Sequence, residues 1–408
     1  AVGDTFTFVP PHFVQVNPIL FDDAVQGVSE AQTEWVDYDN DGDLDLFILG
    51  TQSGNPAVFL YRNHLGLELG LDSQNQSVFA PQENGFFAWG DVNLDGFQDL
   101  LIGGGAAGSP QLSLYLNEEG RFSEVNILVP GLTGGQAAFC DVDGEGSPDL
   151  IMIGLNDAQV PTTQVYLNQR DNTFRILNLG GNVTGARDGS LQVMDLNFDG
   201  RNDLIIGGEN GQGTVFLSAF LNNPLNGFFP AIDLLPTDWD AVSQPILEVG
   251  DLNNDRYPDI VATADNPSGD RAWISLENQL GDGGTFALLN LGLDAFVGLS
   301  EGHAQVGDYD DDGLADLAIT GQANGQAVTR IFSRKGTDQR FVEDTRATSE
   351  LIDLGSGSYL AWGDYDRDGK IDLVHTGEEA LYIYRNDEPT SNTSPIPPQN
   401  LNIEIVGA

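Results

Sequence analysis

Seven nine-residue segments of one acidic pattern recur along the chain at nearly constant spacing. They are DYDNDGDLD from Asp37, DVNLDGFQD from Asp91, DVDGEGSPD from Asp141 and DLNFDGRND from Asp195. Three more follow: DLNNDRYPD from Asp251, DYDDDGLAD from Asp308 and DYDRDGKID from Asp364. Their starts are 54, 50, 54, 56, 57 and 56 residues apart. A period of this length suits a four-stranded propeller blade and is too long for a leucine-rich repeat or a β-helix coil.

The flanks repeat too. A short apolar run such as FFAWG or YLAWG precedes each motif, and a β-rich run such as LLIGG, LIIGG or LAITG follows it. After a variable Gly/Asn/Ser/Pro loop comes a third strand (VFLYRN, LSLYLN, TQVYLN, LYIYRN), and most units add a fourth, such as RFSEV. The pattern predicts an all-β, seven-bladed β-propeller of four-stranded blades. The last unit lacks a fourth strand after LYIYRN, and the N-terminal TFTFVPPHFVQV has no unit of its own. An N-terminal strand around Thr5 to Val9, within residues 1–20, is therefore expected to complete blade 7, closing the ring and removing both open edges. The propeller is placed at 1–388. Residues 389–408 read as a Pro/Ser/Thr/Asn linker and the start of a further domain, so the chain is expected to be one module of a larger protein.

On its D-x-[D/N]-x-D-G-x-x-D loops, with the AWGD, LYLN and GxF-type elements around them, the chain resembles the FG-GAP or VCBS repeat family, whose propeller also heads integrin α chains. The resemblance covers roughly residues 1–388. It implies a calcium ion in each acidic loop and a role in extracellular adhesion or recognition, and it leaves the ligand open.

The chemistry of the loops agrees with calcium, which takes six to eight hard oxygen ligands. Positions 1, 3 and 5 of a tight loop can turn side-chain oxygens toward one point, position 7 can add its carbonyl, and position 9 can return a carboxylate. Glycine at position 6 permits the reversal. The expected ligand sets are Asp37, Asp39, Asp41, Asp43 and Asp45; Asp91, Asn93, Asp95, Phe97 and Asp99; and Asp141, Asp143, Glu145, Ser147 and Asp149. Blades 4 and 5 would use Asp195, Asn197, Asp199, Arg201 and Asp203, then Asp251, Asn253, Asp255, Tyr257 and Asp259. The last two would use Asp308, Asp310, Asp312, Leu314 and Asp316, then Asp364, Asp366, Asp368, Lys370 and Asp372.

Position 12, where an EF-hand needs Glu, holds Ile48, Ile102, Met152, Ile206, Ala262, Ile319 and His375. No Cys or His lies in the loops, which argues against zinc. Up to seven calcium ions are expected, the Asp251 loop being weakest because Arg256 replaces the glycine. Turn-forming Asp, Asn and Gly explain a single such loop equally well. Seven aligned loops of clustered carboxylates call for a cation.

Sixteen Lys+Arg against 62 Asp+Glu give a formal net charge of -46. That surface repels phosphate backbones and anionic lipid, so neither nucleic acid nor membrane is an expected partner. A lone Cys140 allows no intramolecular disulfide, and no apolar run is long enough to span a bilayer. Calcium would take the stapling role, which places the protein outside the cell, secreted or at the cell surface.

Trp35, Trp89 and Trp362, each two residues before a motif, are expected to pack between blades. Trp239, in PTDWDAV, is the better candidate for an exposed ligand contact. His12, His64, His303 and His375 form no evident catalytic set. The leading expectation is a monomeric, non-enzymatic recognition module that binds an extracellular protein or polysaccharide through the face opposite the acidic loops. The alternatives are a lectin-like carbohydrate-binding propeller and, behind it, a polysaccharide lyase or hydrolase-associated domain. A lyase acting on uronates would need cationic groups that this chain scarcely has, and an Arg–Tyr–His cluster in the central depression would mark it.

Overall fold

The computed structural model describes residues 13–16, 28–223, 227–293, 296–334, 340–377 and 380–387. Seven four-stranded antiparallel sheets follow one another, one per repeat. In blade 2, for example, Phe86–Gly90, Asp99–Gly104, Gln111–Glu118 and Arg121–Val125 pair in sequence order. The acidic nonapeptide is in every blade the hairpin loop between the first and second strands. Antiparallel order puts this loop and the 3–4 turn at one end of the blade, and the 2–3 and 4–1 connections at the other.

The second strands read as continuous apolar runs because both of their faces are covered. Asp99–Gly104 is buried at every residue. Each core cluster lies between two neighbouring blades rather than inside one. Phe47 and Tyr115 meet between blades 1 and 2, Leu114 and Met152 between 2 and 3, Trp273 and Phe332 between 5 and 6. Seven clusters serve seven junctions, including that of Trp35 and Tyr365 between blades 1 and 7.

The ring closes as expected in kind. Phe13–Gln15 pairs antiparallel with Ala380–Asn386 and supplies the outer strand of blade 7. The closing strand lies later than the expected Thr5–Val9, a segment outside the described residues. Phe13 anchors the strand: it is 2% exposed and stacks against both Tyr309 and Trp362, at 5.7 and 6.0 Å.

The three motif-linked tryptophans pack between blades. Trp35 stacks on Tyr365 at 5.8 Å and donates from Nε1 to the Ala361 carbonyl at 3.3 Å. Trp362 stacks on Tyr309, and Trp89 meets Phe47 and Phe122 edge-on. Trp239 is a correction. It is half-buried and packed against the core between blades 4 and 5, where its turn is closed by the Trp239 N–H donating to the Pro236 carbonyl at 3.0 Å.

Candidate metal loops and the latch beneath them

The nonapeptide builds its own turn before any ion is considered. Position 1 accepts the N–H of position 6 in all seven loops, at 2.8–3.0 Å. The position-5 Asp accepts the N–H of position 7 in six loops. In the third loop Glu145 instead meets the Ser147 hydroxyl. Two left-handed residues make the reversal, at positions 4 and 6. Position 6 is glycine at φ 83–93° in six loops and Arg256 at φ 78° in the fifth. Arg256 therefore adopts the conformation that glycine takes elsewhere, as the sequence predicted.

Position 9 is buried completely: Asp45, Asp99, Asp149, Asp203, Asp259, Asp316 and Asp372 are each 0% exposed. In every blade Oδ2 accepts the N–H of position 2, as from Tyr38 to Asp45 and Val92 to Asp99. Oδ1 accepts a backbone N–H at the end of the third strand, as from Asn63 to Asp45 and Asn117 to Asp99. Burial pushes these carboxyls up against the hydrogen bonds that lower them. Asp45, Asp316 and Asp372 reach about 8, Asp259 about 7, and Asp99, Asp149 and Asp203 about 6. Seven carboxyls held this way favour a proton or a cation.

Five loops bring three carboxylates together with ligand atoms within 4.8 Å of one another. The sets are Asp37, Asp39 and Asp41; Asp141, Asp143 and Asp149; Asp251, Asp255 and Asp259; Asp308, Asp310 and Asp316; and Asp364, Asp366 and Asp372. In the Asp91 and Asp195 loops, where Asn93 and Asn197 hold position 3, no such trio converges among the described residues. The donors are all oxygen, which suits a hard cation. Oδ1 of Asp37 and of Asp364 is buried with no hydrogen-bond partner, inside carboxylate clusters that repel one another. The residues present thus fit a divalent cation. Cationic side chains lean on several loops. Arg62 bridges Asp39 and Asp41 at 2.5 and 3.1 Å, and Arg367 of the seventh loop pairs with Asp43 of the first at 2.8 Å.

The sequence reading missed the latch beneath the loops. The third strand is followed or ended by Asn63, Asn117, Asn168, Asn222, Asn278 and Asn386 in six blades. Each donates from Nδ2 to the position-2 carbonyl of the preceding blade, at 2.7 Å every time: Tyr365, Tyr38, Val92, Val142, Leu196 and Tyr309. One side chain ties its own motif to the next one round the ring. The recurrent Asn of YLN and YRN was the available signal.

Also missed were Glu34 and Glu248, each three residues before its motif, where other blades carry Ala88, Ala138, Gln192, Gln305 or Ala361. They come from innermost strands around a central cavity of about 880 Å³ lined by Gln32, Gln136, Gln192 and Tyr359 among others. Glu34 lines the bore and is exposed to its water, while desolvation by the protein packed around it raises its carboxyl to about 7 and that of half-buried Glu248 to about 8. His303 stacks on Tyr359 at 3.6 Å, and burial lowers it to about 3. His375 is 0% exposed, with Nε2 at 3.1 Å from Thr320 Oγ1. A His–Tyr pair therefore does form in the centre, but no Arg or Lys lines the cavity among the described residues.

Comparison with known proteins places this geometry. The human T-cell immunomodulatory protein is 27% identical over 247 residues, which are 58% of this chain and 33% of that protein. Its homolog from Plasmodium yoelii yoelii is 23% identical over 267 residues, 58% and 37% of the two chains. The chain spans about a third of the length of these curated relatives. Among solved structures, AofleA from Arthrobotrys oligospora aligns over 90% of this chain and 92% of its own, with 12% identity and a TM-score of 0.43. The FG-GAP-like repeat matches residues 37–102, 91–152, 195–262 and 308–375, segments that contain all seven acidic loops. Matched over more than half its length, the chain belongs to the FG-GAP-like repeat family.

Proposed function

We propose that this propeller is an extracellular recognition module whose loops hold calcium and whose opposite face binds a protein or glycan ligand. The carrying observation is the segregation of the two loop sets. Carboxylate-rich hairpins occupy one end of the blades, and the connections that vary in length and sequence occupy the other. A rigid ring with variable loops on one face is the usual arrangement for binding specificity. Bound calcium would supply positive charge among carboxylates that otherwise repel, held by positions 1, 3, 5 and 9 with the carbonyl of position 7. The chain's own residues preform the turn through positions 1, 5 and 6. The latch residues then pass the order of each loop to the neighbouring blade.

Non-catalytic binding is the reading favoured over hydrolysis or elimination. The raised carboxyls belong to the loops and the bore, His375 is buried against Thr320, and the central His303–Tyr359 pair has no Arg or Lys among the described residues lining the cavity. For the ligand, a cleft of about 630 Å³ between blades 5 and 6 offers Asn266, Asp270, Arg271, Phe296, Gln322 and Asn324 on the variable face. Polar groups beside one aromatic edge suit a saccharide, which is the second reading.

The test is an array of extracellular-matrix proteins and polysaccharides, probed with the immobilised protein in millimolar calcium and again in EGTA. A ligand captured only with calcium, and lost in Arg271→Ala with the fold intact, supports the glycan form. Capture that needs other loops supports the protein form. Binding indifferent to EGTA removes calcium from the proposal.

A further inference from the structure

Blade 6 breaks the latch rule. Where six blades carry Asn, it carries Arg334, which is 0% exposed. The backbone still conforms, since the Arg334 N–H donates to Asp316 Oδ1 at 3.0 Å. The side chain still crosses to the preceding blade, where Nη1 donates to the Leu252 carbonyl. Beyond that bond the two side chains differ. The guanidinium brings a full positive charge under the loops, and its Nε and Nη2 are buried without a hydrogen-bond partner. A buried charge is tolerated only where opposite charge surrounds it. Burial pulls the Arg334 pKa down, and the charges of Asp251, Asp316, Asp312 and Asp259 pull it back up.

The anchor points to the Asp251 loop. Leu252 is that loop's second residue, and its own N–H donates to Asp259 Oδ2 at 3.1 Å. The guanidinium is thus bonded to the backbone segment that positions the Asp259 carboxylate. The same loop is poorer in charge than its neighbour: Asn253 replaces an acid and donates to Asp255 Oδ2 at 2.9 Å, and Arg256 sits at position 6. Of its trio of Asp251, Asp255 and Asp259, the charges of Asp251 and Asp259 act on the guanidinium. A second, divalent cation placed in the loop would meet that charge at short range in a poorly screened interior.

Resting on the calcium reading above, we propose that Arg334 is the resident counter-ion of the Asp251 loop. The junction of blades 5 and 6 is then closed without calcium, and the chain takes up six calcium ions at sub-millimolar concentration instead of seven.

Equilibrium dialysis with radioactive calcium, at about 0.1 mM free ion, counts the ions per chain. The native chain is expected to bind six. Asp251→Asn should leave the count at six, while Asp37→Asn should lower it to five. Arg334→Asn should raise it to seven, and Arg256→Gly alone should leave it at six. Seven ions on the native chain, or a count that falls on Asp251→Asn, overturns the inference and leaves the calcium reading intact. An unchanged six in a folded Arg334→Asn variant also overturns it. The Asp251→Asn result stands even if the Arg334 variant fails to fold. No bound calcium on any form overturns the calcium reading itself.

Discussion

Asn117 reaches across the first blade junction with its Nδ2 2.7 Å from the carbonyl oxygen of Tyr38, and donates a second bond to the Gln98 carbonyl at 2.9 Å. Its Oδ1 accepts the Gly120 N–H at 2.9 Å, so the amide is fully used while 0% exposed. The same side chain thereby fixes the end of its own strand, the loop of its own blade and the loop of the blade before.

Removing such a group leaves buried carbonyls without donors, which costs about 1–3 kcal/mol each. Asn117→Ala is expected to lower unfolding stability by about 2–4 kcal/mol. Denaturant midpoints in millimolar calcium measure it. A loss below about 0.5 kcal/mol, typical of a surface change, would mean that the latch carries no energy.

The position-9 carboxyls make calcium binding depend on pH. In the metal-free protein Asp45, Asp316 and Asp372 keep their protons up to about 8, through burial. A cation must displace those protons, so affinity should tighten as pH rises from about 6 to about 8 and level off above. The metal-free fold should move the other way. Raised carboxyl pKa values give stability that is fully present below the ordinary value of 3.8 and is lost as pH rises from there to 6–8, where the loss levels off. Calorimetry in two buffers of different ionisation enthalpy should register proton release at pH 7. Binding without proton release would contradict this.

Glu34 and Glu248 predict a separate pH effect that persists with calcium saturating. Their folded-state pKa values, about 7 and about 8, lie above the ordinary value of 4.5, so ionisation opposes folding. Melting temperature should fall as pH rises from about 5 to about 8. In Glu34→Gln/Glu248→Gln that decline should shrink, with the variant the more stable form above pH 8. Parallel curves for the two proteins would remove the bore from the account.

Arg256 stores backbone strain that glycine would release. An L-residue in the left-handed region costs roughly 1–2 kcal/mol, and the six equivalent positions are glycine. Arg256→Gly should therefore stabilise the metal-free protein by about 1 kcal/mol, offset in part by the greater freedom of glycine in the unfolded chain. Melts in EGTA separate this from any change in ion binding. A destabilised variant would show that the arginine side chain contributes more than its backbone costs.

Much of this was legible because a repeat states its rule seven times. The spacing of the Asp clusters gave blade number, strand order and the place of the acidic hairpins, and Arg256 stood out against six glycines. What escaped lies in relations that sequence distance hides. Asn117 and Tyr38 are 79 residues apart, and nothing local marks the Asn as more than a strand end. Glu34 and Glu248 look like ordinary surface acids until the ring gathers the innermost strands around a bore. Trp239 sits in a polar, turn-rich stretch that suggested exposure, yet its loop packs back on the core. The closing strand was expected from an edge that needed a partner, and its place was missed because nothing in the sequence marks Phe13 as the residue that packs on Tyr309 and Trp362.

That packing yields the last prediction. Among the described residues the closing strand is Phe13–Gln15, extended by the Val16 N–H donating to the Ile383 carbonyl at 2.8 Å. Phe13 supplies the apolar anchor: it stacks on two aromatic rings, and its N–H donates to Glu350 Oε2 at 2.7 Å. Phe13→Ala removes the ring and leaves a cavity between blades 6 and 7, a change that costs about 3–5 kcal/mol in well-packed cores. A closed ring distributes such a loss, because every blade is held by two neighbours. An opened ring exposes the unpaired edge of Ala380–Asn386, which invites pairing with another chain. Phe13→Ala should therefore melt earlier and also self-associate with concentration, read by sedimentation velocity beside the thermal scan. Phe13→Leu, which refills most of the slot, should restore the monomer and most of the stability. Earlier melting without self-association would assign Phe13 to packing alone and leave the short strand sufficient to guard the edge.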